Sequence, residues 1–141
     1  VLSSGGFAGI GDKQVTIAFN DVDLTITGDD DMRVISPLSE TAIDSAVEYD
    51  EDAVTSDLML ASDMLGSEVA LGSEGETASI HDVILENNGT ASWLVLDAGL
   101  GGERYLVDFA ELIRNPADAD EDFSVGLSAD RLKTQTRINY F

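Results

Sequence analysis

Twice in this chain, ninety residues apart, a glycine-rich bend opens into a strand with alternating apolar side chains. The first instance is Gly5-Gly6-Phe7-Ala8-Gly9-Ile10-Gly11 followed by Lys13 to Phe19, with Val15, Ile17 and Phe19 on one face and Gln14, Thr16 and Ala18 on the other. In the second, Ala98-Gly99-Leu100-Gly101-Gly102 precedes a strand in which Tyr105, Val107 and Phe109 take the places of Val15, Ile17 and Phe19. Glycine tolerates positive φ and lets backbones approach closely, and a period of two marks a half-buried strand. A segment that recurs at a fixed spacing is one supersecondary unit used twice.

The flanks recur too. Val95 to Gly99 echoes Val1 to Gly5, and the acidic turn Asp118 to Asp122 matches Asp29-Asp30-Asp31. Leu127-Ser128 with Leu132 matches Leu38-Ser39 with Ile43, now at an offset of 89. Ser39 and Ser128 are the expected N-caps of two helices, the first carrying Ile43, Ala46 and Val47, the second running through Arg131, Leu132 and Gln135. The second copy is preceded by strands at Ser67–Leu71, Thr77–Glu86 and Ala91–Asp97. Gly72 to Gly75 turns the first of these into the second, and Asn88-Gly89 predicts a type I′ hairpin between the last two. No such strands precede the first copy in this sequence. The expected division is therefore 1–52, the C-terminal part of a first unit plus a helix, and 58–141, a complete second unit plus a C-terminal helix. An incomplete first unit exposes a strand edge, which natural proteins cover or pair. The expected sources of cover are an upstream segment, another chain, or the second repeat folding back.

At 141 residues the chain is long enough for a real core, and 43% of it is hydrophobic. Its 7 basic side chains against 28 acidic ones give a net charge of −21. Such a surface repels phosphate backbones and anionic lipid, which argues against nucleic-acid binding and direct membrane docking. It suits solubility in a salt-exposed setting, or attraction to a basic partner. There is no cysteine, hence no disulfide framework and no thiol chemistry. No apolar run approaches the roughly 18 residues of a membrane helix.

The glycine corner, the leucine–glycine entry Leu65-Gly66, the turn Gly72 to Gly75, the strand Ser79-Ile80-His81-Asp82-Val83-Ile84-Leu85 and the Asn88-Gly89 hairpin together resemble the PRC-barrel family. These are the small β-barrels of the photosynthetic reaction-centre H subunit and of a ribosome-maturation factor. The match is best over Leu60 to Leu112 and Val1 to Leu24. The second corner departs from the pattern, being four residues shorter and lacking the aromatic. The resemblance implies a mainly β fold of two small antiparallel barrels, each followed by a short helix. It implies a role in assembly, and it brings no shared catalytic residues.

The residues themselves offer little chemistry. His81 is the only histidine; on its strand it shares a face with Ser79 and Val83 and reads as a solvated side chain. Without a second histidine or a cysteine, zinc is not supported. Asp118, Asp120 and Asp122 open like an EF-hand loop, but Phe123 stands where glycine is needed and Ala129 where a bidentate glutamate is needed. The glycine pairs lack the strand–glycine–helix order and the lysine of a phosphate cradle. No cofactor or metal site is expected. Trp93, Tyr105, Phe109 and Phe19 read as core or corner residues. Phe7 and Ile10, on a glycine loop, are candidate partner contacts. So are Arg131, Lys133 and Arg137, three of the seven cations, with the apolar tail Tyr140-Phe141.

The expected function is a non-enzymatic protein-binding or assembly module, contacting a protein partner or its own copies. The alternative is an accessory subunit of a membrane complex, docked by the basic-apolar tail; a hydrolase using acidic residues comes third. The expected location is periplasmic or otherwise exported, with the cytoplasm as the alternative.

Overall fold

The computed structural model describes residues 1–4, 13–27, 31–50, 59–73, 75–99, 102–116 and 119–139. The chain is mainly β and divides into two compact units, Val1–Asp57 and Leu58–Phe141.

In the first unit, β1 (Leu2–Ser4) and β2 (Lys13–Val15) form an antiparallel ladder with Leu2 opposite Val15. A 3-10 turn at Phe19–Asp21 leads to the hairpin of β3 (Asp23–Thr27) and β4 (Asp31–Ile35), with Leu24 opposite Val34. Helix α1 (Glu40–Ser45) follows, its N-terminus capped by Ser39, whose hydroxyl accepts from the Ala42 amide. The chain then returns to β2, where Glu48 bridges Val15 and the Tyr49 amide donates to the Gln14 carbonyl at 2.7 Å. Of Lys13 to Phe19, only the first three residues are strand, because the described partner β1 is itself three residues long.

The second unit opens with a single helical turn, α2 (Ala61–Met64). Its strands are β5 (Glu68–Leu71), β6 (Glu76–Leu85), β7 (Ala91–Asp97), β8 (Arg104–Asp108), β9 (Leu112–Arg114), β10 (Phe123–Val125) and β11 (Arg137–Ile138), with α3 (Ala129–Leu132) before the last. They form one sheet in the order β11-β8-β7-β6-β5-β10-β9, antiparallel throughout except for β5 against β10. A 3-10 turn of three residues, Phe109–Glu111, joins β8 to β9. Yet these strands stand five places apart in the sheet, which would separate them by about 24 Å if it were flat. A three-residue 3-10 turn advances only about 6 Å. The sheet must therefore curl, and it forms a half-barrel. Asp108 holds the bend: its carboxylate accepts from the Ala110 amide at 2.9 Å.

The concave face carries the core. Val69, Leu71, Ala78, Ile80, Leu94, Leu96, Tyr105, Val107, Phe123 and Val125 are buried together, with Met64 of α2 and Leu132 of α3 packed among them. Ser128 caps α3, accepting from the Arg131 amide. The helix ends at Leu132, short of Gln135, because the Leu106 amide claims the Thr136 carbonyl at 2.9 Å and draws the chain into β11. Two further expectations change. The loop at Asn87-Asn88-Gly89 has three residues, not two: Glu86 donates to Thr90, the Gly89 amide donates to Glu86, and Gly89 takes φ +83°. At His81 the pairing shifts from Ile80–Leu96 to Asp82–Val95, a bulge of one residue. Val83 then pairs with Leu94 and packs on the core, while His81 is exposed, so the two do not share a face.

Several features of the second unit recur in the first. The 3-10 turns at Phe19 and Phe109 stand 90 residues apart. The Val15–Glu48 bridge corresponds to the Tyr105–Arg137 pair, and Leu2–Val15 to Leu96–Tyr105. The Ala46-to-Ile43 and Gln135-to-Leu132 amide bonds coincide at an offset of 89. Within this correspondence the first unit holds equivalents of β7 to β11 and none of β5 and β6 among the described residues.

Candidate interaction surface

The hairpin β3–β4 sets Asp23–Thr27 antiparallel to Asp31–Ile35. By register, Val34 occupies the position of Phe123 in the second unit, opposite Leu24 as Phe123 is opposite Arg114. Phe123 is 3% exposed because β5 lies beside it, Val69 directly across. Val34 is 56% exposed and Leu24 43%. In the described part of the first unit β4 pairs with β3 alone and β1 with β2 alone. The position equivalent to a buried one, Val34, is thus open, and among the described residues so are an edge of β4 and an edge of β1. Individual residue types did not single out this surface.

The basic residues are spread over three elements. Arg131 lies on α3, Lys133 at its C-terminal end, and Arg137 on β11, so they are not on one helix. Lys133 sits 3.9 Å from the carboxylate of Asp130, and the Arg137 guanidinium pairs with Glu103. Glu103 also accepts from the Tyr105 hydroxyl at 2.8 Å. That bond to an anion raises the phenol pKa above 10.0, with burial acting in the same direction and Arg137 against it. The second unit's last strand is therefore fastened by a Tyr105–Glu103–Arg137 relay at the place where the first unit has Val15, Lys13 and Glu48. Phe7, Ile10, Tyr140 and Phe141 lie outside the described residues.

Trp93 is 44% exposed and not a core residue. It pairs across the sheet with Ile84 and Asp108, on the face away from Leu94 and Leu96. With Glu86, Ser92, Asp108 and Phe109 it lines an open depression of about 330 Å³. The Ser92 hydroxyl donates to Glu86 at 2.7 Å, and the Asp108 carboxylate is held by the bend it caps. A depression this open would bury little of a small ligand, where binding pockets typically enclose most of one. On the same convex face Arg104 and Asp97 form an ion pair at 3.8 Å. Among the described residues no three of His, Cys, Asp and Glu are grouped to hold a metal ion, and no helix is long and apolar enough to cross a membrane.

Comparison with protein-family models and with curated proteins yields no match.

Proposed function

We propose that the chain is a non-enzymatic protein-binding or assembly module of the PRC-barrel type, contacting a protein partner or its own copies through the exposed hairpin of its first unit. One observation carries this reading. Val34 holds the position of the buried Phe123, yet it and its cross-strand neighbour Leu24 stand open to solvent on a hairpin with an unpaired outer edge among the described residues. Exposed apolar side chains beside a free strand edge invite pairing with another chain. The marked acidity bears on which of the two it is: like charges repel, so a partner is favoured over further copies.

Site-specific photo-crosslinking in the native host tests this. Crosslinkers at Val34, Leu24 and Arg131 are expected to yield discrete adducts with a protein partner at one or more of these positions. Absence of any protein adduct at all three would overturn the reading.

A further inference from the structure

Trp93 is the only tryptophan in the chain, and the sheet turns it outward. It is 44% exposed, whereas Leu94 and Leu96 of the same strand are fully buried. It stands directly across from Asp108 on β8, and side chains paired in this way leave the sheet about 5 Å apart. Glu86, Ser92, Asp108 and Phe109 border the depression around it. The core beneath this face is packed without the indole, so the ring is available as a contact surface.

The chemistry of the rim is one-sided. Glu86 and Asp108 only accept hydrogen bonds. Each commits one oxygen within the chain, Glu86 Oε1 to the Ser92 hydroxyl and Asp108 Oδ1 to the Ala110 amide at 2.9 Å. These bonds orient both carboxylates and leave each a second oxygen for a ligand. The Ser92 proton is thereby used, and the indole N–H is the remaining side-chain donor. Among the described residues neither carboxylate forms an ion pair. Residues 58–141 carry fifteen acidic and five basic side chains, and among the described residues no basic one lines the depression.

Such a site complements a group that is positive, donates hydrogen bonds without accepting them, and offers a flat face. A guanidinium meets all three conditions: it is planar, carries five donors and no acceptor, and stacks on aromatic rings. A cation over an indole face is further attracted by the ring quadrupole. An ammonium brings the charge without the plane, and a sugar brings acceptors that the rim cannot satisfy. The openness that leaves a free small molecule mostly in water suits a side chain carried by a larger partner.

We infer that the Trp93 depression receives an arginine side chain of a partner protein, its guanidinium stacked on the indole and hydrogen-bonded to Glu86 and Asp108. This surface belongs to the second unit alone. It goes beyond the hairpin contact proposed above and does not depend on it.

Because Trp93 is the only tryptophan, its fluorescence reports on its own site. The probe is the blocked peptide acetyl-Gly-Arg-Gly-amide, titrated into the full chain at low salt, and it is expected to bind saturably with Kd on the order of a millimolar. The citrulline peptide, of the same shape but uncharged, should bind at least about tenfold more weakly. The lysine peptide should bind about threefold more weakly, lacking the planar fork. Glu86→Gln with Asp108→Asn keeps an acceptor for the Ser92 and Ala110 donors and should leave Tm unchanged, yet weaken the arginine peptide about tenfold. Glu68→Gln with Glu76→Gln, exposed positions outside the depression, removes the same charge and should change binding less than about twofold. Trp93→Leu, followed by the Ala110 amide in NMR, should weaken binding about threefold.

No saturable response, or equal binding of the arginine and citrulline peptides, overturns the inference. Lysine binding as tightly as arginine overturns the guanidinium assignment. Equal loss in the Glu68/Glu76 variant overturns the site, since general attraction to an acidic protein would then account for the binding. Each of these outcomes leaves the hairpin reading intact, because its crosslinkers at Val34 and Leu24 sit in the first unit.

Discussion

The described parts of the two units share a hairpin, a 3-10 turn and a serine-capped helix, and they bury very different amounts of apolar side chain. Of the fourteen hydrophobic residues buried in the described structure, only Val15 belongs to the first unit. The second unit places thirteen, spread over α2, α3 and every strand of the sheet from β5 to β8 together with β10. Hairpin, 3-10 turn, capped helix and returning strand are common to both. The difference is the β5–β6 ribbon, which supplies Val69, Leu71, Ala78 and Ile80 and covers Phe123 and Leu96. A supersecondary path can thus be specified locally, while the buried core of the second unit depends on the β5–β6 ribbon.

The sharpest way to break this comparison is to truncate matched positions. Phe123→Ala should cost about 3–5 kcal/mol in chemical denaturation, as expected for a large buried side chain. Val34→Ala, its counterpart, should cost less than about 1 kcal/mol, because more than half of Val34 is already in water. Equal losses would mean that the first unit has a closed core. Helix positions offer the same test on a smaller scale: Leu132→Ala should cost about 2–5 kcal/mol, and Ile43→Ala, half-buried on α1, clearly less.

Native-state hydrogen exchange sharpens the contrast without mutation. Amides of β6 and β7, central in the sheet, should exchange only by global opening, while those of β3 and β4 open at lower free energy. Cap deletion comes next: Ser128→Ala should lose about 1 kcal/mol. Ser39→Ala should lose less of the global stability if the first unit opens first.

The smallest effect is alkaline. Tyr105 has its pKa raised in the folded state, so the stability it contributes is intact below about pH 10 and declines as pH rises through the folded value. Tyr105→Phe should flatten the fall of Tm above pH 10. The first unit, with Val15 at that position, has no equivalent titration.

Much of this was legible in the sequence because period-two alternation and short caps are local signals. Ser39 and Ser128 cap their helices by the same serine geometry, and the turn at Gly72 takes its positive φ of 58° where its amide reaches the Val125 carbonyl. The repeat offsets of 90 and 89 reappear as matched strand registers. What could not be read depends on contacts far along the chain. Phe123–Val125 has too few residues to announce a strand and becomes one by pairing with both β9 and β5. Arg137–Ile138 leaves the expected helix for β8. The bulge at His81 reverses the facing of Val83, which no alternation rule anticipates. Trp93 looked like core by type and lies on the convex face. Of the candidate surface, the hairpin of β3 and β4 was legible from its alternation, whereas the dispersal and pairing of Arg131, Lys133 and Arg137 required the tertiary arrangement.

The bend at Phe109–Glu111 has a mechanical consequence. One uninterrupted stretch of polypeptide, from Arg104 to Arg114, is stitched to opposite margins of the same sheet. Loosening β9 drags on β8, so the second unit cannot unzip from that end alone and should come apart all at once.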